Sequence, residues 1–149
     1  MAKFFETSED VKELIQNKFE ETGLPNYGIN LKILSITKNK NILKASKASA
    51  TVQYLTNKDA ILIVYEEAFD KLSEEYKIKL IEGALSNIAY DTEKDKLIVE
   101  QDIAKEMFRM RKKYDNYVDI MEASYLVIEQ IEEEEKERKE AEKANKKRK

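Results

Sequence analysis

The sequence contains no cysteine and no histidine among its 149 residues. Disulfide bonds are therefore excluded, and so is catalysis through a cysteine thiolate or a histidine base. The usual structural zinc sites also need cysteine or histidine ligands. Only metals that bind oxygen ligands, such as magnesium or calcium, are compatible with this composition, and we expect no bound cofactor.

Glycine, proline and long apolar runs are scarce as well. The three glycines, Gly23, Gly28 and Gly83, form no glycine-rich phosphate loop, so nucleotide hydrolysis by that route is not supported. No apolar run reaches the length of a signal peptide or of a membrane span. We therefore expect a soluble, intracellular protein with no membrane partner.

Charged residues are abundant but nearly balanced. Lysine and arginine number 27 and the acids 30, so the formal net charge is −3 and predicts no strong attraction to nucleic acid or membranes. Charged residues make up 38% and hydrophobic residues 42% of the chain. This mixture suits one globular domain with a modest core and a long solvated helix.

The first half of the chain predicts an N-terminal helix and a small sheet of about three strands. The helix begins after candidate N-caps at residues 7–8 and ends at Gly23. Residues 29–36 alternate as in a half-buried strand, and the continuous apolar run 60–65 predicts a central strand covered on both faces. Residues 51–55 give a weaker strand signal.

The KASKASA segment at residues 44–50 leaves three interpretations open: a loop, a hairpin arm or a short helix. Helices follow in the second half. Ser73 is the candidate N-cap of a helix that reaches about Tyr90, and residues 97–100 fit either a short strand or the start of a helix. An amphipathic helix then runs from Ile103 to Tyr114.

The last helix, which starts near Asp119, has an apolar part and a charged part. Its first apolar residues recur at spacings of three and four, which predicts a coiled-coil-like seam for a partner protein: Val118, Met121, Tyr125 and Ile128. After Ile131 the helix has acid-before-base pairs at i,i+4: Glu132–Lys136, Glu134–Arg138, Glu135–Lys139 and Glu142–Lys146. We therefore divide the α+β chain into a domain at residues 1–118 and an extended charged helix at residues 119–149.

A group of basic residues precedes this helix: Arg109, Arg111, Lys112 and Lys113, with Tyr114 and Tyr117 nearby. Such a basic-aromatic patch can contact phosphates and stack a base. Basic residues at a helix C-terminus are also favoured by the helix dipole alone, so both interpretations stay open. The acids Asp91, Asp95, Glu100 and Asp102 do not have the spacing of a calcium loop.

The block AILIVYEEAFDKLSEEYKIKLIEGALSNIAYD, residues 60–91, resembles a family of metallopeptidases encoded by bacteriophages. In that family an apolar strand and an acidic-aromatic turn precede a Leu-rich helix with His-Glu-x-x-His, and a His-Asp pair follows. Here AILIVYEEAFDKL matches the strand and turn, KLIEGALSNIAYD matches the helix, and VEQDI, residues 99–103, falls where the His-Asp pair lies. The resemblance covers roughly residues 57–115.

Carried over residue by residue, the resemblance places Ile81 and Leu85 at the two histidine ligands of the helix. Glu82 stands at the general-base glutamate and Gln101 at the third ligand, followed by a matching Asp102. A zinc peptidase needs its ligands to hold the metal, which lowers the pKa of bound water to about 7. The resemblance therefore implies a degenerate member that lacks every metal ligand.

Such a member is expected to have no peptidase activity. We expect a structural or protein-interaction component of a phage assembly, with other phage proteins as partners. It would occur in the host cytoplasm and become part of the virion. One alternative is a nucleic-acid-associated accessory protein that uses the basic-aromatic patch. The other is a residual enzyme that uses Glu82 with an oxygen-bound metal.

Overall fold

The computed structural model describes residues 2–147 and has an α+β fold, as the sequence predicts. The strands are β1 Phe4–Glu6, β2 Leu31–Ile36, β3 Leu43–Lys47, β4 Ala60–Val64, β5 Ile88–Asp91 and β6 Lys96–Val99. The helices are α1 Glu9–Glu21, α2 Ala50–Thr56, α3 Glu66–Phe69, α4 Glu74–Leu85, α5 Ile103–Lys113 and α6 Tyr117–Lys147, and a 3₁₀ turn spans Leu24–Tyr27.

Four strands form the main sheet in the order β1-β2-β4-β3, and β5 and β6 form a separate hairpin. β2 and β4 are parallel, whereas β1 and β3 pair antiparallel at the two edges. The prediction that residues 60–65 form a central strand is confirmed. Only one of its faces is fully buried, because Ile61 and Ile63 on the other face are half-buried.

The boundaries of α1 follow local chemistry. Ser8 occupies the N-cap with extended backbone, and Glu9 and Asp10 lie in the first turn, where the helix dipole favours negative charge. Thr7 is not the cap, since its hydroxyl accepts a hydrogen bond from the buried Ser35 hydroxyl at 2.8 Å. Gly23 ends the helix with φ of +79°, a conformation that glycine adopts without steric cost.

Two segments differ from the sequence prediction. The strand near residue 50 lies at Leu43–Lys47, and the TVQYL segment belongs to α2. The side chain of Ser49 accepts a hydrogen bond from the Val52 amide at 3.2 Å, and this cap favours a helix over the strand that the β-branched residues suggest. The helix that begins after Ser73 ends at Leu85, because the chain turns into the hairpin strand β5.

The first half of α6 belongs to the core, and its second half extends beyond it. Buried residues occur at helical spacing up to Ile131: Tyr117, Ile120, Met121, Ser124, Ile128 and Ile131. Of the four ion pairs expected in the charged part, Glu135–Lys139 is formed at 3.1 Å, and the other three are not formed within residues 2–147. No helix in that range has the length and apolar character needed to cross a membrane.

Candidate functional site

Helix α4 carries the first group of candidate residues. Ser73 caps it by accepting a hydrogen bond from the Tyr76 amide at 3.3 Å. Ile81 and Leu85 lie one turn apart on the same helix face. Their exposed fractions are 0% and 1%, so this face packs into the hydrophobic core of the domain.

The adjacent face of α4 borders a cleft of about 280 Å³. Leu80, Ala84 and Asn87 line this cleft together with residues of β3, the β6–α5 connection and α6. Gln101 also lines it, and its side-chain amide donates a hydrogen bond to the Ala45 carbonyl of β3 at 2.9 Å. The structure thus places Gln101 at the cleft, which Ile81 and Leu85 do not line.

Glu82 lies at the junction of α1, α4 and α5. The Tyr114 hydroxyl donates to its Oε2 at 2.6 Å, and Lys113 Nζ lies 3.0 Å from the same oxygen. Lys18 Nζ lies 3.4 Å from Oε1. Partial burial by itself raises the pKa of Glu82, but the hydrogen bonds from Tyr114, Lys113 and Lys18 outweigh burial and hold the pKa below its ordinary value.

The residues at the carried-over ligand positions do not fit zinc. Ile81 and Leu85 present methyl groups, and the amide of Gln101 is bonded to the sheet. Residues 2–147 contain no group of three or more His, Cys, Asp or Glu side chains placed to hold a metal. These positions therefore belong to a packed core beside hydrogen-bonded carboxylates, and they do not provide a set of metal-ligating atoms.

The acids of the cleft have structural partners. Asp102 caps α5 by accepting a hydrogen bond from the Ala104 amide at 2.9 Å. Glu100 Oε2 lies 3.4 Å from Lys105 Nζ. These contacts account for the carboxylates beside Gln101, the position that the resemblance assigns to the third ligand.

A polar network that the sequence did not indicate lies at one end of the cleft. Glu106 accepts hydrogen bonds from the side-chain amide of Asn87 at 2.6 Å and from the Tyr117 hydroxyl at 2.8 Å. Burial, followed by the charge of Glu106, raises the pKa of Tyr117 far above its ordinary range. Gly83 in the middle of α4 is the sequence feature that could have indicated this contact, since a Cβ there would overlap the Tyr117 hydroxyl oxygen.

The basic-aromatic patch is divided between internal and exposed residues. Arg109 donates to the side chains of Asn87 and Ser86, and its Nε is buried without a hydrogen-bond partner among residues 2–147. Lys113 pairs with Glu82. Arg111 and Lys112 are exposed, so the structure does not bring all four cations together on one free surface.

The predicted seam of α6 is divided in a similar way. Met121 and Ile128 are buried in the core of the chain itself, and Val118 is half-buried. Tyr125 is the one exposed member of the four, and it lines the cleft. A partner that uses this seam without opening the core would contact Tyr125 and its exposed neighbour Leu126.

Comparison with known proteins gives a family match. The family model described as "Putative phage metallopeptidase" matches residues 2–144. No curated protein and no solved structure matches the chain. The match extends well beyond residues 57–115, and it includes the main sheet and most of α6.

Proposed function

Because this chain belongs to the phage metallopeptidase family but has no residue able to ligate zinc at the carried-over positions, we propose that it is a non-catalytic member of that family. We further propose that it acts as a structural or protein-interaction component of a phage assembly. The observation that carries the proposal is the replacement of both helix ligands by the buried aliphatic residues Ile81 and Leu85.

The state of Glu82 supports the loss of catalysis. A general base works best when its pKa lies near the operating pH, and enzymes raise the pKa of a catalytic glutamate for that purpose. Here the pKa of Glu82 is lowered, and both carboxylate oxygens are bonded to neighbouring helices. The glutamate at this position therefore fits a structural contact.

The helical surfaces support a role in protein interaction. Large apolar side chains are exposed on α2, α5 and α6: Tyr54, Leu55, Phe108 and Leu126. The part of α6 after Ile131 extends for about 24 Å at 1.5 Å per residue without burying a residue in the domain. An isolated helix of that length gains little stability from its own sequence, so a partner surface would stabilise it.

Two experiments test the proposal. Purified protein is incubated with a mixture of unstructured peptides, with added zinc or with a chelator, and we expect no cleavage in either case. Cleavage that the chelator stops would disprove the non-catalytic proposal. Mass spectrometry of purified virions and of phage complexes from infected cells tests the second part. We expect the protein in virions, and its presence only as a free monomer would contradict that part.

A phage carrying Glu82→Gln provides a test in the cell. The substitution removes a carboxylate that a peptidase would need, so we expect normal phage yield as long as the protein folds. Loss of yield with folded protein would indicate a chemical role for Glu82.

The alternative of nucleic-acid binding rests on one observation. Phe108 is exposed beside Lys112, whose Nζ lies 4.4 Å from the ring centroid, and Arg111 lies on the same side of the helix. A cation next to an exposed ring can contact a phosphate and stack a base. Gel shifts at low salt with wild type and Arg111→Glu/Lys112→Glu test it, and no shift at low salt would rule it out.

A further inference from the structure

The exposed side of α5 combines apolar and cationic side chains. Met107, which is half-buried, and the exposed Phe108, Arg111 and Lys112 line one shallow groove on this side of the helix. We refer to these residues as the α5 outer face. The exposed fraction of Phe108 is 65%. The ion pairs of α5 involve Lys105 and Lys113, so within residues 2–147 Arg111 and Lys112 have no acidic partner.

The exposed side of α6 has the opposite charge around a similar apolar centre. Glu122, Leu126, Glu129 and Glu133 are spaced by three or four residues and lie opposite the buried face of the helix. We refer to these residues as the α6 outer face. The exposed fraction of Leu126 is 63%. None of these glutamates forms an ion pair in the described part of the chain, where the α6 pair is Glu135–Lys139.

We propose that the α5 outer face of one copy binds the α6 outer face of a second copy. Phe108 packs on Leu126, and the cations of one face meet the carboxylates of the other. In an antiparallel arrangement of the two helices, Lys112, four residues after Phe108, lies beside Glu122, four residues before Leu126.

The two faces can act together in a symmetric dimer. Tyr117 at the start of α6 contacts Glu106, and Ile103 at the start of α5 lines the same cleft as Tyr125. Helices α5 and α6 contact each other and are joined by residues 114–116, so both outer faces belong to one helical hairpin. A two-fold axis between two such hairpins forms the same contact twice, as closed dimers require.

Charge complementarity favours a second copy over other partners. Both unpaired faces occur on every chain at equal concentration, and oppositely charged faces attract each other and disfavour like-charged partners. A nucleic acid would use the cations alone and would leave the α6 outer face uncovered. This inference does not depend on the proposed function, because a catalytic and a non-catalytic chain carry the same two faces.

Sedimentation velocity between about 10 µM and 1 mM protein tests the proposal. We expect a concentration-dependent dimer that weakens in about 0.5 M NaCl, where charges are screened over a few ångströms. Arg111→Glu/Lys112→Glu and, separately, Glu122→Lys/Glu129→Lys should each raise the dimer dissociation constant about tenfold or more. Lys94→Glu/Lys96→Glu, at exposed positions of the β5–β6 hairpin, is a control with the same change in net charge as Arg111→Glu/Lys112→Glu and should dimerise like wild type.

Mixing gives the decisive measurement. In an equimolar mixture of the two charge-reversed variants, each α5 outer face meets an oppositely charged α6 outer face on the other chain. We expect the dimer to return in that mixture and in the variant with all four substitutions. Three outcomes would each overturn the proposal. The wild type could stay monomeric at the highest concentration, the dimer could be unaffected by these substitutions, or the mixture could fail to dimerise.

Discussion

Glu82 connects three helices through its two carboxylate oxygens, and this contact makes a prediction about stability. Glu82→Gln keeps the shape but removes the charge that Lys113 and Lys18 need as a partner. Because the side chain is only 16% exposed, we expect a loss of about 1–2 kcal/mol in the free energy of unfolding at pH 7. Urea denaturation of wild type and variant measures it.

The pH dependence of that loss follows from the lowered pKa. Folding lowers the pKa of Glu82 below its unfolded value of about 4.5, so the carboxylate stabilises the fold above that pH. The contribution falls as the pH drops through the folded pKa, and the wild-type advantage over Glu82→Gln should shrink there. Glu20→Gln, at an exposed position of α1, is the control and should change stability by less than about 0.5 kcal/mol at either pH. An equal loss in both variants would contradict the assigned role.

Gly83 is required by the position of Tyr117. A Cβ at residue 83 would overlap the Tyr117 hydroxyl oxygen and lie 2.8 Å from Cζ, so the buried Tyr117 ring or one of the two helices must shift. Although alanine gains about 1 kcal/mol in helix propensity, we expect Gly83→Ala to destabilise the protein by about 1–3 kcal/mol through overpacking. Thermal and urea unfolding check the sign.

A double variant separates this steric effect from a backbone effect. Tyr117→Phe removes the closest atom, and the loss caused by Gly83→Ala should be smaller in that background. A Gly83→Ala protein that is as stable as wild type, or a loss that is the same in both backgrounds, would disprove the contact.

Residue spacing alone did not determine which side of α4 borders the cleft. The i,i+4 pair Ile81–Leu85 and the pair Leu80–Ala84 are both apolar, and each can face a core. The structure places Leu80 and Ala84 at the cleft beside Gln101 and directs Ile81 and Leu85 into the core. The rotation of a helix about its axis is fixed by all the elements that pack on it, and the sequence of one helix does not contain that information.

Elements for which the apolar pattern and the capping residues indicate the same structure were predicted from the sequence. Elements for which these signals conflict were not. The central strand β4 and the cap of α4 at Ser73 rest on patterns that point one way. In α2, β-branched and aromatic residues favour a strand, yet the capping hydroxyl of Ser49 favours the helix that connects β3 to β4. β1 was not predicted because Phe4–Glu6 is too short for periodicity to appear, and its pairing with β2 determines it.

The stability of the domain should depend on one face of α6 only. Ile128 is 5% exposed and lies on the buried face, whereas Leu126 lies on the outer face. We expect Ile128→Ala to lower the free energy of unfolding by about 2–5 kcal/mol, as large-to-small core substitutions do. Leu126→Ala should change it by less than about 0.5 kcal/mol at concentrations where the chain is monomeric. Equal effects would show that α6 is not docked as described.

Deleting the charged end of α6 tests whether that part of the helix contributes to the stability of the domain. A chain that stops after residue 139 keeps every buried residue of α6 and the Glu135–Lys139 pair. Its melting temperature should equal that of the full chain, because residues 140–147 are exposed and bury nothing in the domain. A large drop would mean that residues 140–149 contribute to the fold, and the extension would then belong to the domain.

The composition of the whole chain gives the strongest argument about function, and the fold shows which positions that argument concerns. A chain without histidine and cysteine cannot build the usual zinc site anywhere. We expect the melting temperature of the wild type to be unchanged by zinc or by a chelator, since metal that binds only the folded state would raise it. A zinc-dependent increase, measured by differential scanning fluorimetry, would contradict the non-catalytic proposal.

Restoring histidines tests how this fold relates to its family. Ile81→His/Leu85→His/Gln101→His follows the carried-over ligand positions, but residues 81 and 85 face the core, so we expect two buried imidazoles to destabilise the protein without zinc binding. Leu80→His/Ala84→His/Gln101→His places all three imidazoles at one cleft. Zinc should raise the melting temperature of this second variant by a few degrees, because a metal bound by the folded state stabilises it. The opposite outcome would mean that the helix rotation is wrong and that Ile81 and Leu85 border the cleft.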